Sequence, residues 1–118
     1  MNLITIRIVD EIEIKNLNLQ YRRKNKSTNI LSFPFNSFIN KNKKLLGDLV
    51  LCKKIIEQES LKYKKTLESR WAHMTIHGTL HLLGYDHKNE KEKNVMEKKE
   101  NKIMLSLNYE QPYFMKNS

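Results

Sequence analysis

Three histidines, His77, His81 and His87, lie close together in the second half of the chain. His77 and His81 are four residues apart, so on a helix their rings project from one face, about 6 Å apart. Two imidazoles at that separation can share one ion at the usual zinc–nitrogen distance of about 2.0–2.1 Å. Gly84 is expected to end the helix and turn the chain back, which brings His87 to a third position around the ion. Three protein ligands with a fourth position open are typical of a catalytic zinc site, and we expect one Zn²⁺ per chain.

Two further residues beside this cluster, Asp86 and His73, could take part in its chemistry. Bound zinc lowers the pKa of its water from about 15.7 toward about 7 and polarises carbonyl or phosphoryl oxygens, which is the chemistry of a hydrolase. Asp86 is a candidate to orient an imidazole or to accept a proton from that water, and a turn residue without a catalytic role is the open alternative. His73 lies about 12 Å along the helix from His81, too far for both to share the ion. We therefore expect His73 to contact one of the metal-binding residues or the substrate.

The spacing of the three histidines, with a glycine before the last, is also that of the metzincin proteases. Those enzymes carry a glutamate general base directly after the first histidine, where this chain has Gly78. The chain also lacks a recognisable Met-turn, since Met96 and Met104 fall in a predicted helix. A metallopeptidase is therefore the weakest of the functional hypotheses.

The chain is strongly basic, with 22 Lys and Arg against 13 Asp and Glu and a net charge of +9. Positive charge spread over both halves favours polyanions, either nucleic acid or an acidic membrane surface, although an AT-rich genome also enriches Lys and Asn. Arg22, at the end of the first predicted helix, is a candidate to bind phosphate because guanidinium matches phosphate geometry. On charge alone, a solvated surface arginine is the simpler interpretation.

Length and composition exclude several classes of protein. A chain of 118 residues is expected to form a single domain over 1–118. It has no apolar run near the roughly 18 residues of a membrane span, and its first residues are not those of a signal peptide. Cys52 is the only cysteine, which excludes a disulfide framework and favours a cytoplasmic location.

The hydrophobic pattern predicts the elements that position these residues. Residues 3–9 alternate as a strand, with Ile4, Ile6 and Ile8 expected on a buried face, and a helix begins after Asp10. Residues 36–44 are polar and predicted to be a loop. Further strands are predicted at 30–33 and 49–51, and further helices around 55–59, over 67–83 and over 89–107.

These elements predict an α+β fold, with a small mixed sheet of about three strands packed against about four to five helices. The histidine site is expected on a central long helix and the turn after it. On the last helix we expect four apolar residues to face inward, namely Val95, Met96, Ile103 and Leu107.

The segment from His77 to His87, HGTLHLLGYDH, resembles the signature of the YbeY family, the single-strand-specific metallo-endoribonucleases of bacterial rRNA maturation. Residues 17–22, 27–34, 46–50 and 70–74 resemble other stretches of that family, in the same order along the chain. Together these segments extend the resemblance over most of residues 4–107.

The resemblance implies an α+β protein that binds zinc through the three histidines and acts in rRNA 3′-end maturation and ribosome quality control. It implies RNA, the small ribosomal subunit and a ribosomal protein as partners. The family's functionally important arginine falls on Arg22, which directly follows the Leu-Asn-x-x-Tyr stretch. The chain departs from the family in having Arg23 where glycine is usual, Ser27 where proline is usual and Asn29 where aspartate is frequent. Many members also have a further strand and helix before the segment that begins here near Leu3, so a smaller sheet with a more exposed core edge is expected.

The leading hypothesis is a zinc-dependent single-strand endoribonuclease with Arg22, His77 and Asp86 in catalytic roles. The alternative is a non-catalytic ribosome-assembly factor, in which zinc only joins the last two helices and the basic surface binds rRNA or a ribosomal protein. RNA cleavage that depends on the histidines would favour the first, and tight binding without turnover the second.

Overall fold

The computed structural model describes residues 2–35, 38–40 and 43–114, and these form four strands and four helices in the order β-α-β-β-β-α-α-α. The strands are β1 (Asn2–Val9), β2 (Ile30–Pro34), β3 (Phe38–Asn40) and β4 (Lys43–Cys52). The helices are α1 (Glu11–Arg22), α2 (Lys53–Lys62), α3 (Leu67–Leu82) and α4 (Glu90–Ser106). The predicted α+β class is confirmed, with one short strand more than expected.

The sheet is built around β4, its longest strand. β1 pairs with β4 in parallel, while β2 and β3 pair with it antiparallel, so the sheet is mixed as predicted. The predicted loop over 36–44 is wrong in part, because β3 and the start of β4 lie there; residues 36, 37, 41 and 42 lie outside the described part of the chain. The prediction rested on the polar composition of this segment, but backbone pairing with a neighbouring strand does not require apolar side chains.

Each face of β4 supports its own apolar core. Leu49 and Leu51 lie on one face with Ile30 of β2, and they pack against α2 and α3. Val50 and Cys52 lie on the other face and pack against Ile14 of α1. α3 is thereby held against the sheet along its apolar side, which leaves its other side free for the histidines.

The predicted burial of Ile6 and Ile8 is wrong, since they are 56% and 58% exposed. Their register opposite Leu49 and Leu51 puts them on the face that α3 covers. However, α3 packs mainly over β2 and β4, so Ile6 and Ile8 of β1 stay in solvent, whereas Ile4 is partly buried against that core, as predicted. The alternation identified the strand but not the reach of the helix above it.

The inner face of α4 also differs from the prediction. Met96 and Met104 are buried, whereas Val95 and Leu107 are 51% and 53% exposed. Between the two methionines, at four-residue spacing, lies Glu100, whose side chain is almost fully buried. The stripe that α4 turns toward α3 therefore carries a carboxylate at its centre. None of the helices in the described residues is long and apolar enough to cross a membrane.

Candidate metal centre

The structure brings together the three histidines expected to bind metal. His77 and His81 lie on α3, and His87 lies in the loop between α3 and α4. One potential ligand nitrogen from each ring lies within 4.8 Å of the other two. The closest pair is Nε2 of His77 and Nε2 of His81, which are 3.1 Å apart.

A Schellman turn at the end of α3 carries the chain from His81 to His87. The backbone N–H of Gly84 donates to His81 O, and that of Tyr85 donates to Leu80 O, both at 3.0 Å. Gly84 has φ +102°, which a side chain would disfavour, so its predicted position just beyond the helix is confirmed. The reversal also places the carbonyl of Tyr85 beside the ring of His81.

The hydrogen-bond partners of His77 and His81 determine which ring nitrogen carries the proton. Nδ1 of His77 lies 3.1 Å from a carboxylate oxygen of Glu100, and Nδ1 of His81 lies 3.0 Å from the carbonyl oxygen of Tyr85. Both partners can only accept, so both Nδ1 atoms donate. In the neutral rings each Nε2 therefore keeps its lone pair.

The two Nε2 atoms are only 3.1 Å apart, so their lone pairs repel each other unless a cation or a proton lies between them. A tetrahedral zinc ion with bonds of about 2.0–2.1 Å would hold two ligand nitrogens about 3.3 Å apart. Burial and the neighbouring His77 and His87 lower the pKa of His81, which favours the neutral form that binds metal. The donor set, its spacing and its protonation thus fit a metal ion.

The histidines open onto a cleft of about 550 Å³ that is lined by basic side chains. Arg22, the last residue of α1, lies in this lining, and so do Lys24 and Lys26 of the following loop. All three are exposed. The cleft therefore combines a candidate metal centre with positive charge that suits an anionic substrate.

Asp86 lies in the same cleft, next to the histidine cluster. Its Oδ1 accepts a hydrogen bond of 2.8 Å from the backbone N–H of His87, and this bond is the main reason that its pKa is lowered. Its Oδ2 lies 3.8 Å from the ammonium of Lys88. One carboxylate oxygen thus shapes the turn that presents His87.

Glu100 also contacts the centre, and the sequence pattern did not predict this contact. Burial alone would raise the pKa of its carboxyl, but hydrogen bonds from His73 and His77 outweigh this and lower the pKa to about 2. His73 does not join the cluster of three; its Nε2 donates to Glu100 at 2.7 Å. The only sequence signal for Glu100 is its spacing of four residues from Met96 and from Met104, which puts it on the inner face of α4.

Comparisons with known proteins identify the family. The family model described as Endoribonuclease YbeY matches residues 2–108. Endoribonuclease YbeY of Buchnera aphidicola subsp. Schizaphis graminum (strain Sg) is 81% identical over 118 residues, covering 100% of this chain and 75% of that protein. The protein of the same name from Buchnera aphidicola subsp. Acyrthosiphon pisum (strain APS) is 74% identical over 116 residues, covering 98% of this chain and 75% of the relative. The solution structure of TM1509 from Thermotoga maritima is similar with a TM-score of 0.54 and 27% identity, over 89% of this chain and 70% of that one.

The resemblance first seen in short segments is confirmed by these matches. They extend through the sheet, the histidine helix α3 and the whole of α4. The chain belongs to the YbeY family.

Proposed function

We propose that this protein is a zinc-dependent endoribonuclease that cuts single-stranded RNA in the cytoplasm, in rRNA 3′-end maturation and ribosome quality control. His77, His81 and His87 hold the ion in this proposal. The observation that carries it is the pair of Nε2 atoms of His77 and His81, which lie 3.1 Å apart in a cleft lined by Arg22 and two lysines. The names of the two Buchnera relatives, both Endoribonuclease YbeY, support RNA as the substrate.

The metal, when bound, supplies an activated water and a Lewis acid for the scissile phosphodiester. Arg22 binds the non-bridging phosphate oxygens, for which its planar guanidinium is suited, and offsets the charge that builds up on them. Lys24 and Lys26 bind neighbouring phosphates of the strand. These contacts bind the RNA backbone and do not depend on the base sequence.

Asp86 is the proposed proton acceptor among the residues of the cleft. Its Oδ1 accepts from the backbone of His87, so Oδ2, which lies 3.8 Å from the Lys88 ammonium, is the oxygen proposed to accept a proton. The side chain of Asp86 is 40% exposed, so that oxygen can be reached from the cleft.

The proposed partners are an rRNA precursor, the small ribosomal subunit and a ribosomal protein. The net charge of +9 favours association with ribosomal RNA, and part of this positive charge is concentrated in the basic cleft. Binding to the subunit is expected to weaken as salt rises, because it releases counterions from the phosphates.

Elemental analysis of the native protein, combined with cleavage of a defined rRNA 3′ precursor, tests the proposal. We expect about one zinc per chain and cleavage of single-stranded but not duplex RNA, both lost in His77→Ala and His81→Ala. Lys15→Ala is a suitable control, because Lys15 is exposed on α1 and does not line the cleft. RNA binding without turnover, unchanged by the histidine substitutions, would instead identify a non-catalytic assembly factor.

A further inference from the structure

A single buried carboxylate lies behind the metal centre and joins two helices. Glu100 of α4 is 1% exposed, and its Oε1 accepts hydrogen bonds from His77 Nδ1 at 3.1 Å and His73 Nε2 at 2.7 Å. The hydroxyl of Tyr113 donates to the same oxygen at 3.2 Å. Three donors on one side explain how an ionised carboxylate remains stable in this apolar position.

Glu100 controls the direction in which His77 faces. A neutral imidazole has one donor nitrogen and one acceptor nitrogen, and a carboxylate can only bind the donor. With Nδ1–H held by Glu100, the lone pair of His77 lies on Nε2, the nitrogen that is 3.1 Å from His81 Nε2. If the carboxylate were absent, neither the tautomer nor the tilt of the ring would be imposed from this side.

A second line of contacts determines which nitrogen of His73 donates to Glu100. Glu59 accepts from Arg70 Nη2 at 2.6 Å, and Arg70 Nη1 lies 3.1 Å from His73 Nδ1. Because a guanidinium can only donate, His73 Nδ1 accepts and its Nε2 must carry the proton that it gives to Glu100. Every hydrogen bond along the chain Glu59–Arg70–His73–Glu100–His77 therefore pairs one donor with one acceptor.

We propose that Glu100 is a positioning residue of the metal centre, which holds the His77 ring in the tautomer and orientation that present Nε2 to the ion. The inference rests on the proposed metal site. A carboxylate behind a ligand histidine also makes the ligand nitrogen more basic, and loss of such a partner typically weakens metal binding by about 10–100-fold. Glu100 does not touch the ion or the substrate in this role.

The test is the zinc dissociation constant, measured at pH 8 by competition with a chromophoric chelator. Glu100→Gln keeps the shape of the side chain but removes its charge, and we expect zinc binding about 10–100-fold weaker than in the wild type. Glu90→Gln is the control, because Glu90 is exposed in the first turn of the same helix and is not among the residues that line the cavities beside the histidines. Its zinc affinity should equal that of the wild type.

The outcomes separate the two proposals. If the wild-type chain binds no zinc, the proposed function fails; if it binds zinc and Glu100→Gln binds equally well, only the role of Glu100 is wrong. Imidazole ¹⁵N spectra of the metal-free wild type give a second test that needs no folded variant. They should identify His77 as protonated on Nδ1 and not on Nε2, and the opposite tautomer would overturn the inference.

Discussion

Gly78 of α3 lies against Leu49 of β4 so closely that a Cβ on the glycine would be 2.8 Å from the Leu49 Cδ2 methyl. The same Cβ would be 2.5 Å from Cδ1 of Ile30. Both distances are shorter than real side chains allow, so a residue with a Cβ at this position would have to displace the ends of the Leu49 and Ile30 side chains. Position 78, where a metzincin carries its general base, is thus the point at which this helix packs on the sheet. His77 directly precedes it, and His81 follows three residues later.

Gly78→Ala is expected to destabilise the fold. Alanine gains about 1 kcal/mol in helix propensity, but overpacking a closed contact costs about 1–3 kcal/mol, so we expect a net loss. Urea denaturation followed by circular dichroism measures it. Adding Ile30→Val, which removes the Cδ1 methyl, should recover part of the loss. A more stable Gly78→Ala protein would contradict the close packing of α3 on the sheet.

Arg23→Gly is expected to stabilise the protein. Arg23 ends α1 with φ 57° and ψ 31°, a left-handed conformation that glycine adopts without steric penalty. We expect the free energy of unfolding to rise by about 0.5–1 kcal/mol. Lys15→Gly, the same type of change in the middle of α1, should lower it by about 1 kcal/mol. If both variants shift in the same direction, the conformation assigned to Arg23 is wrong.

Arg22→Ala is expected to impair cleavage without removing the metal. Loss of one group that stabilises charge in a transition state typically lowers kcat by about 10²–10³-fold. Arg22→Lys should recover only part of the rate, because an ammonium lacks the bidentate geometry. Lys15→Ala serves as the control, and zinc content should be the same in all of these proteins. Full activity in Arg22→Ala would show that Arg22 is an ordinary surface charge.

Zinc affinity should fall as the medium becomes acidic. Burial is the main cause that lowers the pKa of His81 below its usual 6.5, so this ring stays neutral and able to bind metal to a lower pH than a free imidazole. Below that range a proton competes with the ion, and apparent affinity falls by up to about tenfold per pH unit for each ring that must lose a proton. Competition titrations from pH 8 down to pH 5 measure this. A constant affinity over the whole range would exclude imidazole ligands.

The candidate site was largely predictable because its ligands are local in sequence. Two histidines at helical spacing, a glycine that ends the helix and a third histidine after the turn are a pattern within eleven residues of chain. Its geometry follows from helix and turn conformations alone. Arg22 was a candidate phosphate-binding residue from its guanidinium chemistry, the family resemblance favoured that role over an ordinary surface charge, and the structure places it in the cleft.

Glu100 and the exposed isoleucines were not predictable in the same way. Glu100 meets His77 across 23 positions of sequence, and a buried carboxylate breaks the apolar pattern by which inward-facing residues are recognised. Ile6 and Ile8 alternate as a half-buried strand should, yet their exposure depends on how far α3 extends over the sheet. Both are properties of packing between distant elements.

X-ray absorption at the zinc edge of the metal-loaded protein tests the central claim most directly, because it counts the imidazoles on the ion. We expect three nitrogen ligands with imidazole multiple scattering at about 2.0–2.1 Å and one further oxygen ligand, without ring scattering, in the open position. In His87→Ala the imidazole count should fall to two. A wild-type spectrum with fewer than three imidazoles, or one that His87→Ala leaves unchanged, would contradict the account.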